Sequence, residues 1–190
     1  MNETRLLLEA LDYAALRHRN QLRKGSGRIP YINHPIQVAN HLAAAGEADN
    51  IVLIVSAILH DVIEDTVEPG FTKEGLIAYI ENKFGEDILS LILEVTDDKS
   101  LDKEERKRIQ VELSTKRSLN ARKLIIADKT MNIHDITEDP PPDWDHERIT
   151  GYFDWAEKVI SNVRGLNPVL DEAFDITLAK ARKKYPSEQT

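Results

Sequence analysis

A chain of 190 residues without cysteine can hold neither disulfides nor thiolate metal sites, so its stability must come from an apolar core, which this length is enough to form. It is 41% hydrophobic and 31% charged, which excludes a disordered or fibrous chain. The net charge of −8 and pI of about 5.3 argue against bulk nucleic acid as a partner, because that takes a broad basic face.

The opening stretch "MNETRLLLEALDYAALRHRN" reads as an amphipathic helix over about 2–20. Glu9, Asp12 and Arg17 interrupt its apolar stretches, so it does not read as a signal peptide. No apolar run reaches membrane-spanning length. The expectation is a cytoplasmic protein with no membrane partner. "KGSGRIPYINHP" is a Gly/Pro-rich loop, and Pro35 suits the first turn of a helix over about 35–45. Asp49 is placed to cap a helix over about 50–65, and Thr72 one over about 73–84. Gly85 separates the latter from a helix over about 86–96. Helices follow over about 102–115 and 118–137, the second stopped by Pro140, Pro141 and Pro142, and then over about 146–164 and 168–184. No segment alternates as a strand would. The fold class expected is all-α: one domain over residues 1–190, a bundle of about 8–10 helices.

Charge is uneven along the chain. Tyr13 to Gly46 has no acid but holds Arg17, Arg19, Arg23, Lys24 and Arg28. Leu113 to Ala127 is also acid-free and holds Lys116, Arg117, Arg122 and Lys123. Such islands are either solvated helix faces or the lining of a site for a small polyanion.

The stretch "AILHDVIEDT" closes an apolar run with His60, Asp61, Glu64 and Asp65. On a continuous helix these four fall in one arc of about 140°, with Val52, Val55, Leu59, Val62 and Ile63 on the other side. Acids at a helix C-terminus oppose its dipole, and buried acids beside a histidine repel one another unless a cation is present. A divalent metal answers both costs. The plainer alternative is a helix end emerging into water. His34 lies where the Gly/Pro loop meets a helix, with Pro35 fixing the backbone behind it. Asp128 follows "LIIA" in the same manner as Asp61 follows "AILH", and Asn132 is its i+4 neighbour.

His34, the His60–Asp61 pair and Asp128 follow the H…HD…D order of the HD superfamily of metal-dependent phosphohydrolases. With "RKGSGRIPYINHP", "ILHDVIEDT", "VTDDK", "ADKTMN" and "YFDWA", the chain resembles over about residues 5–165 the hydrolase domain of the RelA/SpoT type. That domain degrades guanosine 3′,5′-bispyrophosphate, (p)ppGpp, the alarmone of the stringent response. At this length the resemblance is to the stand-alone, single-domain alarmone hydrolases, including the animal type. It implies His34, His60, Asp61 and Asp128 as metal ligands, with Mn²⁺ the usual ion. Two imidazoles and two carboxylates suit a mid-row divalent ion, and Zn²⁺ fits by ligand type. It implies Glu64 and Asp65 as the pair that positions and deprotonates the attacking water. Arg23 and Lys24 match the base-holding "RK", Asn132 the ribose contact, and Lys99 and Tyr152 positions near the nucleotide and its phosphates.

The chain departs from the long enzymes at "MNIHDI", where Met131 replaces a His and Asp135 stands where Thr is common. His18, His41, His134 and His146 receive no role and are expected at the surface or in packing. Two other readings share the pattern: an HD phosphohydrolase acting on a different 2′- or 3′-phosphorylated nucleotide, and a catalytically silent alarmone-binding protein. The sequence prescribes no oligomeric state.

Overall fold

The computed structural model describes residues 2–68 and 70–186. Among them there are helices and turns but no strand; Leu22–Pro30 and Glu68–Phe71 form isolated antiparallel bridges. The fold is all-α.

Helix α1 (Glu3–Arg17) starts at Asn2, whose side chain accepts from the Arg5 amide, and stops short of the expected residue 20. Helix α2 (Asn33–Leu42) runs into a π turn (Ala43–Glu47) that ends where Gly46 takes φ +88°. Helix α3 (Ile51–Leu59) is capped by Asn50, which accepts from the Leu53 amide, rather than by Asp49. Every residue from Leu53 to Leu59 is buried, so α3 forms the middle of the core. The single helix expected over 50–65 is instead broken at His60 and Asp61, and α4 (Val62–Asp65) is one further turn. Nothing in the side-chain pattern marks this break, because Val62 and Ile63 are as buried as α3 itself. Its cause is local. The His60 Nδ1 donates to the Ala57 carbonyl at 2.7 Å, the acceptor that an uninterrupted helix offers to the Asp61 amide.

Helices α5 (Lys73–Phe84) and α6 (Glu86–Val95) meet at Gly85, whose φ of +95° lets the chain reverse without a Cβ clash. Thr72 caps α5 as expected, accepting from the Gly75 amide. Helix α7 (Lys103–Leu113) has no buried residue; a 3₁₀ turn (Ser114–Lys116) leads to α8 (Leu119–Glu138), then α9 (His146–Val163) and α10 (Pro168–Lys184). Helix α3 packs on α1, α2 and α6, while α8 packs on α2, α9 and α10. This brings the start of α2, the end of α3 and the middle of α8 to one place. No described helix is long and apolar enough to cross a membrane.

Arg17 is structural. Its guanidinium is buried, donates to the Thr66 carbonyl at 2.5 Å and lies 3.9 Å from the centre of the Phe71 ring. Lys123 pairs with Glu47 at 2.7 Å.

Candidate active site

The three elements deliver polar side chains into apolar surroundings. His34 comes from the first turn of α2 and is 1% exposed; His60 comes from the end of α3 and is 6% exposed. Asp128 comes from the middle of α8. The His34 Nε2 is 3.1 Å from Asp128 Oδ1, and the His60 Nε2 is 3.7 Å from the same oxygen. Ligand atoms of His34, His60 and Asp128 all lie within 4.8 Å of one another. Asp61 stands at the edge of this group, its Oδ2 3.1 Å from His60 Nε2 and 3.9 Å from His34 Nε2.

A carbonyl can only accept, so the bond to Ala57 fixes the proton of His60 on Nδ1. Its Nε2 is buried, without a hydrogen-bond partner, and faces two carboxylates. Burial alone pushes the imidazole towards neutrality, but Asp61 and Asp128 overcome it and raise the pKa well above its ordinary value. Burial likewise works against ionisation of Asp128, yet Lys129, His34 and His60 hold its carboxyl well below the usual range. A site with an aimed but orphaned nitrogen, flanked by carboxylates, has the donor set of a divalent cation with nitrogen and oxygen ligands.

Around these groups lies a further layer. The Tyr31 hydroxyl is 2.7 Å from Asp61 Oδ2 and 3.0 Å from Asp65 Oδ2. Its ring stacks on the buried His18 with centroids 4.8 Å apart. Asn132 donates to Asp128 Oδ1 at 2.7 Å, and the Lys129 Nζ is 2.9 Å from Asp128 Oδ2 and 4.9 Å from the centre of the Trp155 ring. On α4, the Glu64 Oε2 accepts from the Asp97 amide at 2.9 Å, and burial raises its pKa. Lys99 bridges the two α4 acids, 3.3 Å from Glu64 Oε1 and 2.6 Å from Asp65 Oδ1.

Apart from Ala57 and His18, these residues line one cavity of about 640 Å³. Arg23, Lys24, Lys99, Asn132 and Tyr152, each expected at the nucleotide, are in its wall, as are Glu64, Asp65 and the four expected metal-site residues. Arg23 is held in place, donating to Asn132 at 2.8 Å and to Asp135 at 2.9 Å. Of the two basic islands, only Arg23, Lys24 and Arg117 line the cavity; the other cationic lining comes from Lys99, Arg106 and Lys129.

The family model described as "HD domain" matches residues 10–149. The chain belongs to the HD-domain family. Among HD-domain relatives, it is 41% identical to guanosine-3′,5′-bis(diphosphate) 3′-pyrophosphohydrolase MESH1 of Drosophila melanogaster, covering 88% of this chain and 90% of the relative. Identity to MESH1 of Homo sapiens is also 41%, over 91% of this chain and 93% of the relative. A solved structure, described as a metazoan ortholog of SpoT that hydrolyzes ppGpp, superposes with a TM-score of 0.84 at 39% identity, covering 92% of this chain and 94% of that one.

Sequence reasoning missed several residues of this HD-domain site. Tyr31 stands three residues before His34 in "YINHP", and Lys129 directly follows Asp128 in "ADK". The adjacency of each to an expected ligand was the available signal. His18 received no role, yet it is buried against Tyr31, and its Nδ1 is 2.7 Å from Gln21 Oε1. His134 is exposed at the cavity rim. Although Glu64 and Asp65 sit on the separate turn α4, they line the same cavity as His60 and Asp61, as the arc drawn for a continuous helix expects.

Proposed function

We infer that this chain is a metal-dependent hydrolase that removes the 3′-pyrophosphate of guanosine 3′,5′-bis(diphosphate), releasing pyrophosphate and GDP, or GTP from the pentaphosphate. Relatives at about 40% identity over most of the chain carry that activity in their names. The observation that carries the reading here is the meeting of His34, His60 and Asp128 within 4.8 Å at a cavity walled by Arg23, Lys24 and Lys99. An anionic nucleotide matches such a wall, and bulk nucleic acid does not match the chain's overall negative charge.

His34, His60, Asp61 and Asp128 would hold the ion, with Mn²⁺ the proposed one. A divalent ion there supplies a Lewis acid at the phosphate and lowers the pKa of water. Glu64 and Asp65 orient the attacking water and take its proton; burial raises the pKa of Glu64, which makes it a stronger base than an ordinary carboxylate. The water oxygen bonds to the phosphorus on the ribose 3′-oxygen, the bond from phosphorus to that oxygen breaks in line, and the 3′-oxygen leaves with a proton. Lys99 can exchange its two acids for a phosphate oxygen, stabilising charge that develops there. Arg23 and Lys24 hold the base, Asn132 the ribose, and Tyr152 closes the aromatic side of the cavity beside Trp144 and Trp155. The residues act as one hydrolase domain, and the proposed location is the cytoplasm.

The direct experiment is incubation of the full chain with ppGpp and Mn²⁺, with products separated by anion exchange. Equimolar GDP and pyrophosphate are expected, abolished by chelation. Tight ppGpp binding without pyrophosphate release would instead establish a silent binding protein.

A further inference from the structure

The hairpin over residues 22–30 forms one wall of the cavity, and α8 holds it at two places. Leu22 and Pro30 bridge, and the Arg23 amide donates to the Ile29 carbonyl at 2.8 Å. The stem is fastened by Arg23 to Asn132 and Asp135. The tip is fastened by a residue to which neither the sequence nor the family resemblance gives a role. Asp139 Oδ1 accepts from the Ser26 amide at 3.0 Å and from the Ser26 hydroxyl at 2.8 Å. Its Oδ2 accepts from the Gly27 amide at 2.8 Å.

Two further features mark this as a built contact. Gly25 lies so close to Asp139 that an added Cβ would stand 2.2 Å from Oδ2 and 2.6 Å from the Asp139 carbonyl oxygen. The second position is backbone, so no rotamer change could relieve it. In addition, Asp128, Asn132 and Asp135 follow the i, i+4, i+7 spacing of one face of α8, and Asp139 is the residue that caps the end of that helix. Helix α8 thus carries the proposed metal ligand in its middle and ends at the hairpin anchor, about 16 Å further along its axis.

We propose that Asp139 is a positioning residue: by pinning Ser26 and Gly27 to the end of α8, it fixes the hairpin wall, with Arg23 and Lys24, at a set distance from the metal-ligand end of the cavity. This inference rests on the guanosine polyphosphate reading for the identity of the ligand, not for the tether. The tether acts on nucleotide fit and leaves the chemical step alone, because Asp139 touches neither His34, His60 nor Asp128.

The test is steady-state hydrolysis of ppGpp by the Mn²⁺-loaded full chain, comparing wild type with Asp139→Ala, Asp139→Asn and Gly25→Ala. Asp139→Asn keeps the shape but places a donor group among the hairpin's donors. Gly25→Ala leaves the carboxylate intact and removes the space. Each is expected to raise KM about tenfold while kcat stays within about twofold, the pattern of lost ground-state binding. The Mn²⁺ concentration for half-activation should not move. Amide exchange at Ser26 and Gly27 should quicken about tenfold in Asp139→Ala with no substrate present. An unchanged KM in Asp139→Asn and Gly25→Ala, with an active wild type, overturns the proposal. So does a loss of kcat with KM unchanged. Absence of wild-type turnover defeats the functional reading alone; the tether then stands or falls on the amide exchange, and unchanged protection ends it.

Discussion

The Tyr31 hydroxyl serves two carboxylates at once, 2.7 Å from Asp61 and 3.0 Å from Asp65. One proton cannot be given fully to both, so Tyr31 ties the orientation of Asp65 on α4 to that of Asp61 at the metal group. Groups one layer outside a metal site orient its ligands, and their loss costs about 10–100-fold in affinity or activity. Tyr31→Phe keeps the ring stacked on His18 and removes only the hydroxyl. The expected outcome is a kcat lower by about 10–100-fold with KM for ppGpp little changed. Unchanged kcat would show that the bridge is idle.

Glu64 and Asp65 answer to different supports. Glu64 is held by the Asp97 amide and is pushed up by burial, against the pull of Lys99. Glu64→Gln is close in shape and cannot accept a proton. A drop in kcat of roughly 10²–10⁴-fold is expected if it acts as base. The wild-type rate should fall with decreasing pH from a point above the ordinary Glu value of 4.5, because the raised pKa protonates the base earlier. An acid limb that persists unaltered in Glu64→Gln would assign that ionisation to another group.

Much of this was legible from residue spacing. The His60–Asp61 pair and Asp128 each follow an apolar run, so delivery of polar groups from the core could be read from the sequence. Thr72, Gly85 and the proline run marked element ends correctly. The break after Leu59 was not legible, because neither Gly nor Pro marks it; the His60 side chain bonds its own helix there. The roles of Tyr31 and Asp139 were hidden for another reason. Their partners are 30 and 112 or more residues away in sequence, and only the packing of α2, α4 and α8 brings them together. The basic islands misled by sequence proximity: Arg17 and Lys123 are spent on Thr66 and Glu47, while Lys99 and Lys129, outside both islands, face the cavity.

Asn167 offers a stability test remote from the cavity. Its side chain caps α10 by accepting from Val169 and Leu170, and donates to the Ala45 carbonyl and to Glu47, each at 3.0 Å. Asn167→Ala removes the cap and strands a buried carbonyl on the π turn. The expected loss is about 2 kcal/mol, seen as a melting temperature lower by roughly 4–8 °C. Since the site is built from α2, α3, α4 and α8, kcat at temperatures below the transition should stay near wild type. A lost kcat with unchanged melting would contradict this separation.

The metal-free site should bind its ion in competition with protons. Burial disfavours charge on His60, but Asp61 and Asp128 outweigh it, so the folded pKa lies well above 6.5. A pKa raised on folding contributes stability that is complete below the unfolded value of about 6.5 and is lost as pH rises through the folded value. For Asp128 the sign is opposite: its depressed pKa contributes above the ordinary 3.8 and is lost on acidification. Protons and a divalent ion thus compete for the His60 Nε2, which the ion needs free. Apparent Mn²⁺ affinity is expected to rise with pH, with protons released as the ion binds. Isothermal titration in two buffers of different ionisation enthalpy reads that release directly. Chelation should lower activity to background while leaving the helical circular dichroism signal intact, since the helices are held by an extensive apolar core. Binding of Mn²⁺ without proton release would place the ion away from His60.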